Sequence, residues 1–282
     1  MKHLIIGAGI TGLYLAYKLL SQDIKASDII IFEKSDRIGG RIYTHENRGY
    51  KYSAGAGRLG KKHKYVMKLI KDFKLKDQII NIGKNTNYFI EGRLMNEEQL
   101  LKHYKSTFKS LKELWKYAIE KKLNGNKYDP NLYNLHNYFS LILNANEVEL
   151  LKISLGYQGE MYDMNAYNGI LTLRKDFDIR NNEFFVLRDG IQILCDVLYK
   201  YIVDAGVSVN FSSILEDVKD DDKTIRVNGN IYNYSKLYLT LKRSDYMKIN
   251  YFKKYDYLFN TVSDGHLLRI FAQYKDVWFK DM

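Results

Sequence analysis

Three glycines near the start of the chain stand at the spacing that lets backbone meet phosphate: Gly7-Ala8-Gly9-Ile10-Thr11-Gly12. In such a motif the first glycine permits a tight turn and the second lets the backbone approach a pyrophosphate. The third lets helix and strand pack closely. Glu33, 21 residues beyond Gly12, is the matching acid, a carboxylate able to accept hydrogen bonds from ribose hydroxyls. Lys34, its neighbour, is counted with the same binding set. The chemistry these residues offer is the holding of a dinucleotide.

That function needs particular elements around it. The apolar run Leu4–Ile6 predicts a strand delivering Gly7, and residues 12–21 predict an amphipathic helix. The helix N-terminus then presents Ile10, Thr11 and Gly12 to the phosphates, where unpaired N–H groups and the helix dipole favour negative charge. Asp28-Ile-Ile-Ile-Phe-Glu33 predicts a second strand ending on the acid. A bare glycine motif is weak evidence; the strand, helix and acid in register make it strong.

Further signals organise the rest. Residues 34–60 form an irregular glycine-rich stretch, and His63–Lys74 carry apolar residues at helical spacing. Tyr88–Leu94 predicts a hairpin turning at Glu91-Gly92. From 96 to 155 the pattern is mainly helical, divided at Pro130, and 191–203 is another helix. The period then changes to short strands at 207–210, 215–218, 225–231 and 236–241, with Asn228-Gly229 a type I′ turn. The chain opens as βαβ, inserts a helical block and returns to strands.

The fingerprint serves NAD and FAD alike. The discriminating residues are Arg37-Ile38-Gly39-Gly40-Arg41, just after Glu33. With Leu13, Ala16 and Leu19 in the helix, they make the sequence resemble the flavin-containing amine oxidase family, whose relatives include protoporphyrinogen oxidases and phytoene desaturases. The resemblance implies an α/β fold: a Rossmann-like FAD-binding domain of the GR2 type with an inserted, mainly helical α+β substrate domain. It places residues 1–83 and 186–245 in the FAD-binding domain, and 84–185 with 246–282 on the substrate side.

The resemblance also implies site residues. Gly39, Gly40 and Arg41 would lie along the FAD pyrophosphate and flavin edge. Gly55, Ala56, Gly57 and Arg58 occupy the place of a small-residue segment passing close to the isoalloxazine ring, where side chains would collide; a surface loop is the competing reading. The form Gly-Ala-Gly-Arg-x-x-x-x-His is similar to amine-oxidase-like proteins of large DNA viruses. Asp189-Gly190 and the helix after it resemble a Gly-Gly-x-x-x-Leu segment, with Asp189 replacing the first glycine. Leu215 falls where family members contact adenine through backbone, with plain sheet core as the alternative.

By the same resemblance the flavin would accept a hydride equivalent at N5 from a C–H next to nitrogen, with reoxidation by O2. Lys248 stands at roughly the spacing of a lysine that holds a water near N5 in monoamine oxidases. Burial would favour the neutral form of such a lysine, yet in a lysine-rich chain a solvated position is the commoner outcome. Tyr157, Tyr162 and Tyr167 could line a substrate pocket, although 25 tyrosines make core or surface roles more frequent. Met161 and Met164 read as core filler.

Composition bounds the partners. The formal charge is +11, from 44 basic and 33 acidic residues, but the lysines are scattered and no nucleic-acid motif accompanies them. No apolar run reaches the length of a membrane span. The histidines show no paired ligand spacing, so no metal is expected. One cysteine, Cys195, excludes an internal disulfide and fits a reducing compartment, the cytoplasm (host cytoplasm or virion for a viral member). The sequence stops at Met282 without the family's second FAD segment, and His266–Lys280 resembles a strand normally well inside such chains. The expectation is a small-molecule substrate, perhaps an amine, and non-covalent FAD. The chain alone is either an oxidase or a non-catalytic nucleotide-binding remnant, with a second chain as the possible source of the missing segment.

Overall fold

The computed structural model describes residues 2–82, 86–121, 123, 125–180, 184–262, 265 and 268–275. The chain divides into two compact units, Met1–Ile82 with Phe184–Asp264, and Gly83–Glu183 with Gly265–Met282.

The first unit is built on a four-stranded parallel sheet. Strand β1 (His3–Ile6) is central, with β2 (Ile29–Phe32) on one side and Lys236–Leu239 on the other; Ser208–Asn210 lies outside β2. Every residue of β1 is buried, as a strand covered on both faces requires. Alternation assigns the faces. Ile5, with Ile29 and Ile31, packs toward helix α1 (Ile10–Leu20) and helix Ile193–Asp204. Leu4 and Ile6, with Phe32, pack against the antiparallel meander Leu215–Lys219, Thr224–Val227 and Asn230–Asn233. The expected run 225–231 folds back on itself at Asn228 (φ 46°) and Gly229 (φ 77°), the two positive φ values a type I′ turn needs.

Two expectations change here. Residues 246 onward, expected on the substrate side, group through Asp264 with the first unit. The reason is packing: Ile249 and Phe252 are buried in the core that holds Leu4 and Ile6. The stretch 34–60 is not wholly irregular either, because Thr44–Asn47 and Tyr50–Ser53 pair as a hairpin. Its residues are mostly exposed and polar, so the two-residue apolar alternation that betrays a strand is missing.

The second unit is mainly helical. The helical pattern from 96 to 155 resolves into Glu97–His103, Leu111–Glu120, Leu135–Ser140 and Ala145–Leu155, followed by Ala166–Arg180. Asn96, Ser110, Asn134 and Asn144 each accept an N3 backbone N–H, and Asn96 and Asn144 form full capping boxes with Gln99 and Glu147. Such caps give each short helix its own start. Trp115, Leu114 and Phe139 anchor the core, where Met161 is also fully buried. The hairpin Tyr88–Ile90/Arg93–Met95 turns at Glu91 (φ 50°) and Gly92 (φ 77°). Of the proposed strand His266–Lys280, residues 268–275 carry no regular structure, and Leu268 and Ile270 are 82% exposed. His266, Leu267 and the residues from 276 onward lie outside the described residues. No helix among those described is long and apolar enough to cross a membrane.

Candidate cofactor-binding site

The chain leaves β1 into a turn that only glycine suits. Gly7 has φ 106°, in the region L side chains avoid, and a Cβ there would stand 2.6 Å from Thr240 Oγ1. Thr240 Oγ1 donates to the Ile6 carbonyl at 2.8 Å, bracing the turn from the far end of the sequence. A Cβ on Gly12 would fall 1.9 Å from the Gly7 carbonyl oxygen, so helix α1 meets the turn backbone to backbone. Gly9 is the N-cap; no side chain caps α1, and its first turn contains no acid. This helix end, carrying Ile10, Thr11 and Gly12, therefore has no side-chain cap and no first-turn acid to compete with a bound anion.

The second glycine pair lies directly on the first. Gly39 N–H donates to the Ala8 carbonyl at 2.9 Å. A Cβ on Gly40 would stand 3.4 Å from the Gly9 Cα. Arg37 holds this loop in shape, donating to the carbonyls of Ile38 (3.1 Å) and Gly40 (3.0 Å) while stacking 4.6 Å from the Tyr43 ring centre. The segment from Ala54 lies against Arg41: a Gly55 Cβ would collide at 1.8 Å with the Arg41 carbonyl, which accepts from Ala56 N–H. Arg41 itself is exposed and has no ion-pair partner among the described residues.

Glu33 is 7% exposed and already bonded. Its Oε2 accepts from Ala8 N–H at 2.7 Å; its Oε1 accepts from Ser35 N–H (2.9 Å) and Ser35 Oγ (2.7 Å). A carboxylate has about four acceptor positions, so Oε2 retains capacity for one further donor such as a ribose hydroxyl. The meander reaches the same end, with Ser213 N–H donating to the Glu33 carbonyl and Ser212 N–H to that of Ser35.

The fold thus brings together Gly7, Gly9, Ile10, Thr11, Gly12, Glu33, Gly39, Gly40, Arg41, Gly55 and Ala56. Gly57 and Arg58 follow on, with the Arg58 guanidinium 5.1 Å over the Phe184 ring. Leu215 opens the first meander strand with its side chain in the core, leaving only its backbone for a ligand. Two lysines complete the candidate set. Lys34 is ion-paired with Asp245 at 2.9 Å. Lys248 sits exposed in the turn after Arg243–Tyr246, the solvated position that a lysine-rich chain favours. We expect Lys248→Met to leave flavin content and the rate of flavin reduction within about twofold of wild type, measured by stopped-flow absorbance, since a surface substitution away from the site changes little.

Sequence reasoning missed Ala8, Ser35 and Thr240; Ser35 carries a weak local signal, lying beside the acid. Ala8 acts through its backbone, and nothing local marks Thr240. Asp189, standing where a glycine was expected, pairs with Lys51 at 2.9 Å, and that hydrogen bond holds its carboxyl below the usual range.

The match to known proteins agrees with this geometry. The model of the flavin-containing amine oxidoreductases matches residues 10–234. The chain belongs to that family. Among curated relatives, an L-amino-acid oxidase of Daboia russelii is 24% identical over 273 residues, covering 87% of this chain and 51% of the relative. One of Notechis scutatus scutatus is 33% identical over 95 residues, covering 32% and 18%. The chain spans about half the length of the curated relatives it matches over most of its own. Among solved structures, a putrescine oxidase bound to putrescine superimposes with TM-score 0.67 at 16% identity, covering 88% of this chain and 60% of that one. A Pyrococcus furiosus protein does so with TM-score 0.67 at 18% identity, covering 94% and 66%. The fold is therefore the Rossmann-like α/β type of these flavoproteins.

The cradle fits a flavin dinucleotide. Glycine is sterically required at Gly7, Gly12 and Gly55, the helix end is uncapped, and an acid with one open acceptor position closes β2. When bound, the flavin would supply a two-electron acceptor. Gly9–Gly12 and Gly40–Arg41 would hold the pyrophosphate and Glu33 the ribose.

Proposed function

We propose that this chain binds FAD non-covalently and oxidises a small molecule at a C–H bond next to nitrogen, with O2 as the final acceptor. The observation that carries the reading is the close stacking of two glycine loops, Gly9 on Gly40, over an uncapped helix end. A single dinucleotide fingerprint has no use for the second loop. The relatives add the substrate class, since their names specify L-amino acids and putrescine, both bearing an amino group. Leu215 would contribute its backbone near the adenine.

Non-covalent binding is supported by the state of Cys195, the sole cysteine. It is fully buried in the helical core of the first unit, and burial pushes its thiol up to about 12. Its reactive thiolate is therefore scarce at neutral pH. We expect less than one thiol per chain to react with a disulfide reagent at pH 8 in the native protein and one after unfolding. A lone buried cysteine also suits a reducing compartment such as the cytoplasm.

The test is a visible spectrum of the purified chain, followed by anaerobic addition of L-amino acids and of diamines. Flavin bands that bleach with one class support the oxidase. A second reading, a chain that holds FAD without turning a substrate over, predicts flavin bands without bleaching. A protein that takes up no added FAD would remove both readings.

A further inference from the structure

The second unit contains a half-open cavity of about 350 Å³, formed where the end of helix Leu111–Glu120, the turns at 126–132 and helices Leu135–Ser140 and Ala166–Arg180 meet. That volume is within the ~300–1,000 Å³ range of small-molecule sites. Its lining includes Ile119, Ile170 and Leu171, with Tyr138 beside them. All the residues that define it belong to this unit, and none takes part in the dinucleotide cradle.

Tyr138 makes the cavity more than a packing gap. The residue is 3% exposed overall and lines the cavity, and no described residue engages its hydroxyl. Burial, and then the nearby Asp129 charge, push its pKa up, so the group remains an O–H donor at neutral pH. The mouth is also rich in donors. Arg174 uses one N–H on the Ile119 carbonyl at 3.2 Å, leaving others of its five. The Lys121 ammonium stands nearby, 5.6 Å from the Tyr117 ring. The one acid, Asp129, already accepts twice at Oδ1, from Asn131 N–H and Nδ2, both at 2.9 Å.

We propose that this cavity binds a small carboxylate with an apolar body, such as an arylalkanoate, held at its carboxylate by Arg174 and the Tyr138 hydroxyl. The apolar body rests on Ile119, Ile170 and Leu171. Arg is the cation suited to this task, because its planar fork matches a carboxylate and is weakly hydrated. The site stands independently of the flavin reading, since neither its residues nor its test requires FAD.

The test is calorimetric titration of the full chain at pH 7 with 3-phenylpropionate, 3-phenylpropylamine and 3-phenylpropan-1-ol. The carboxylate is expected to bind at least tenfold more tightly than the amine or the alcohol. Arg174→Gln should weaken it about tenfold or more, the usual consequence of losing a charge-assisted bond. Tyr138→Phe should weaken it severalfold. Leu171→Trp, at a wall position 38% exposed, should fill the space and abolish binding while leaving circular dichroism and Tm unchanged. An amine that binds as tightly as the carboxylate would overturn the proposal. So would carboxylate binding indifferent to Arg174→Gln and Leu171→Trp, which would put the ligand elsewhere, or no measurable binding at millimolar concentration.

Discussion

Gly12→Ala is expected to lose flavin and fold stability together, whereas Gly9→Ala should lose flavin alone. The added methyl at Gly12 would stand 1.9 Å from the Gly7 carbonyl oxygen and 3.1 Å from its carbon. Both are backbone atoms of a braced turn, so no rotamer change relieves the clash. Helix α1 must move off the sheet, against the packing of Leu13 and Ala16 on Ile5, Ile29 and Ile31. Overpacking of this kind costs about 1–3 kcal/mol or more, which lowers Tm by roughly 2–12 °C in a chain of this size. At Gly9 the nearest atoms to an added methyl are 3.9 Å away, ordinary contact. The protein has room there; a pyrophosphate lying on the helix end would not. Thermal unfolding of the apo-proteins and flavin absorbance after reconstitution separate the two effects. If Gly9→Ala retains full flavin affinity, the dinucleotide does not lie on this backbone. If Gly12→Ala keeps the wild-type Tm, the close helix–turn contact is not part of the fold's stability.

Glu33→Gln carries the second large effect, and it should show before any cofactor is added. A carboxylate that served only a ribose would be dispensable in the apo-protein. Here Glu33 satisfies three protein donors: Ala8 N–H, Ser35 N–H and Ser35 Oγ. Glutamine keeps one acceptor oxygen but turns the other into a donor, which must then face either the buried Ala8 N–H or Ser35. Leaving a buried donor unmet costs about 1–3 kcal/mol, and the Ala8 link ties the glycine turn to the end of β2. We expect an apo-protein weaker by about 2 kcal/mol, together with at least a tenfold loss of FAD affinity from the distorted turn and the missing ribose acceptor. An unchanged apo Tm would show that the carboxylate has no structural role. Unchanged affinity would show that no ribose hydroxyl uses it.

Both effects come from the same short region, the part of the chain in which local sequence says most. From Leu4 to Glu33 each signal is read within a few residues: an apolar run, glycines at 7, 9 and 12, a helical stripe and a second apolar run ending in acid. The strands β1 and β2, helix α1 and the turns at Glu91-Gly92 and Asn228-Gly229 follow from such signals, because positive φ and short-range alternation are properties of a few consecutive residues. Helix α1 begins two residues earlier than its apolar stripe suggests, at Ile10 rather than residue 12, because Gly9 sets the start as N-cap. The exposed hairpin at 44–53 escaped for the opposite reason, having no buried face to write a pattern.

What the sequence by itself determined is the presence of a dinucleotide turn and the acid that serves it. Tertiary structure alone decided how that turn is held. Thr240, 233 positions from Gly7, braces it only because the strand Lys236–Leu239 adds beside β1 in parallel register. Ile249 and Phe252 joined the first unit, and Lys248 between them and that strand was left in water. A stripe of apolar residues states that a face will be buried, but not which partner will bury it. Partner choice depends on how all the elements fill one core at close packing, and no single window of sequence contains that information.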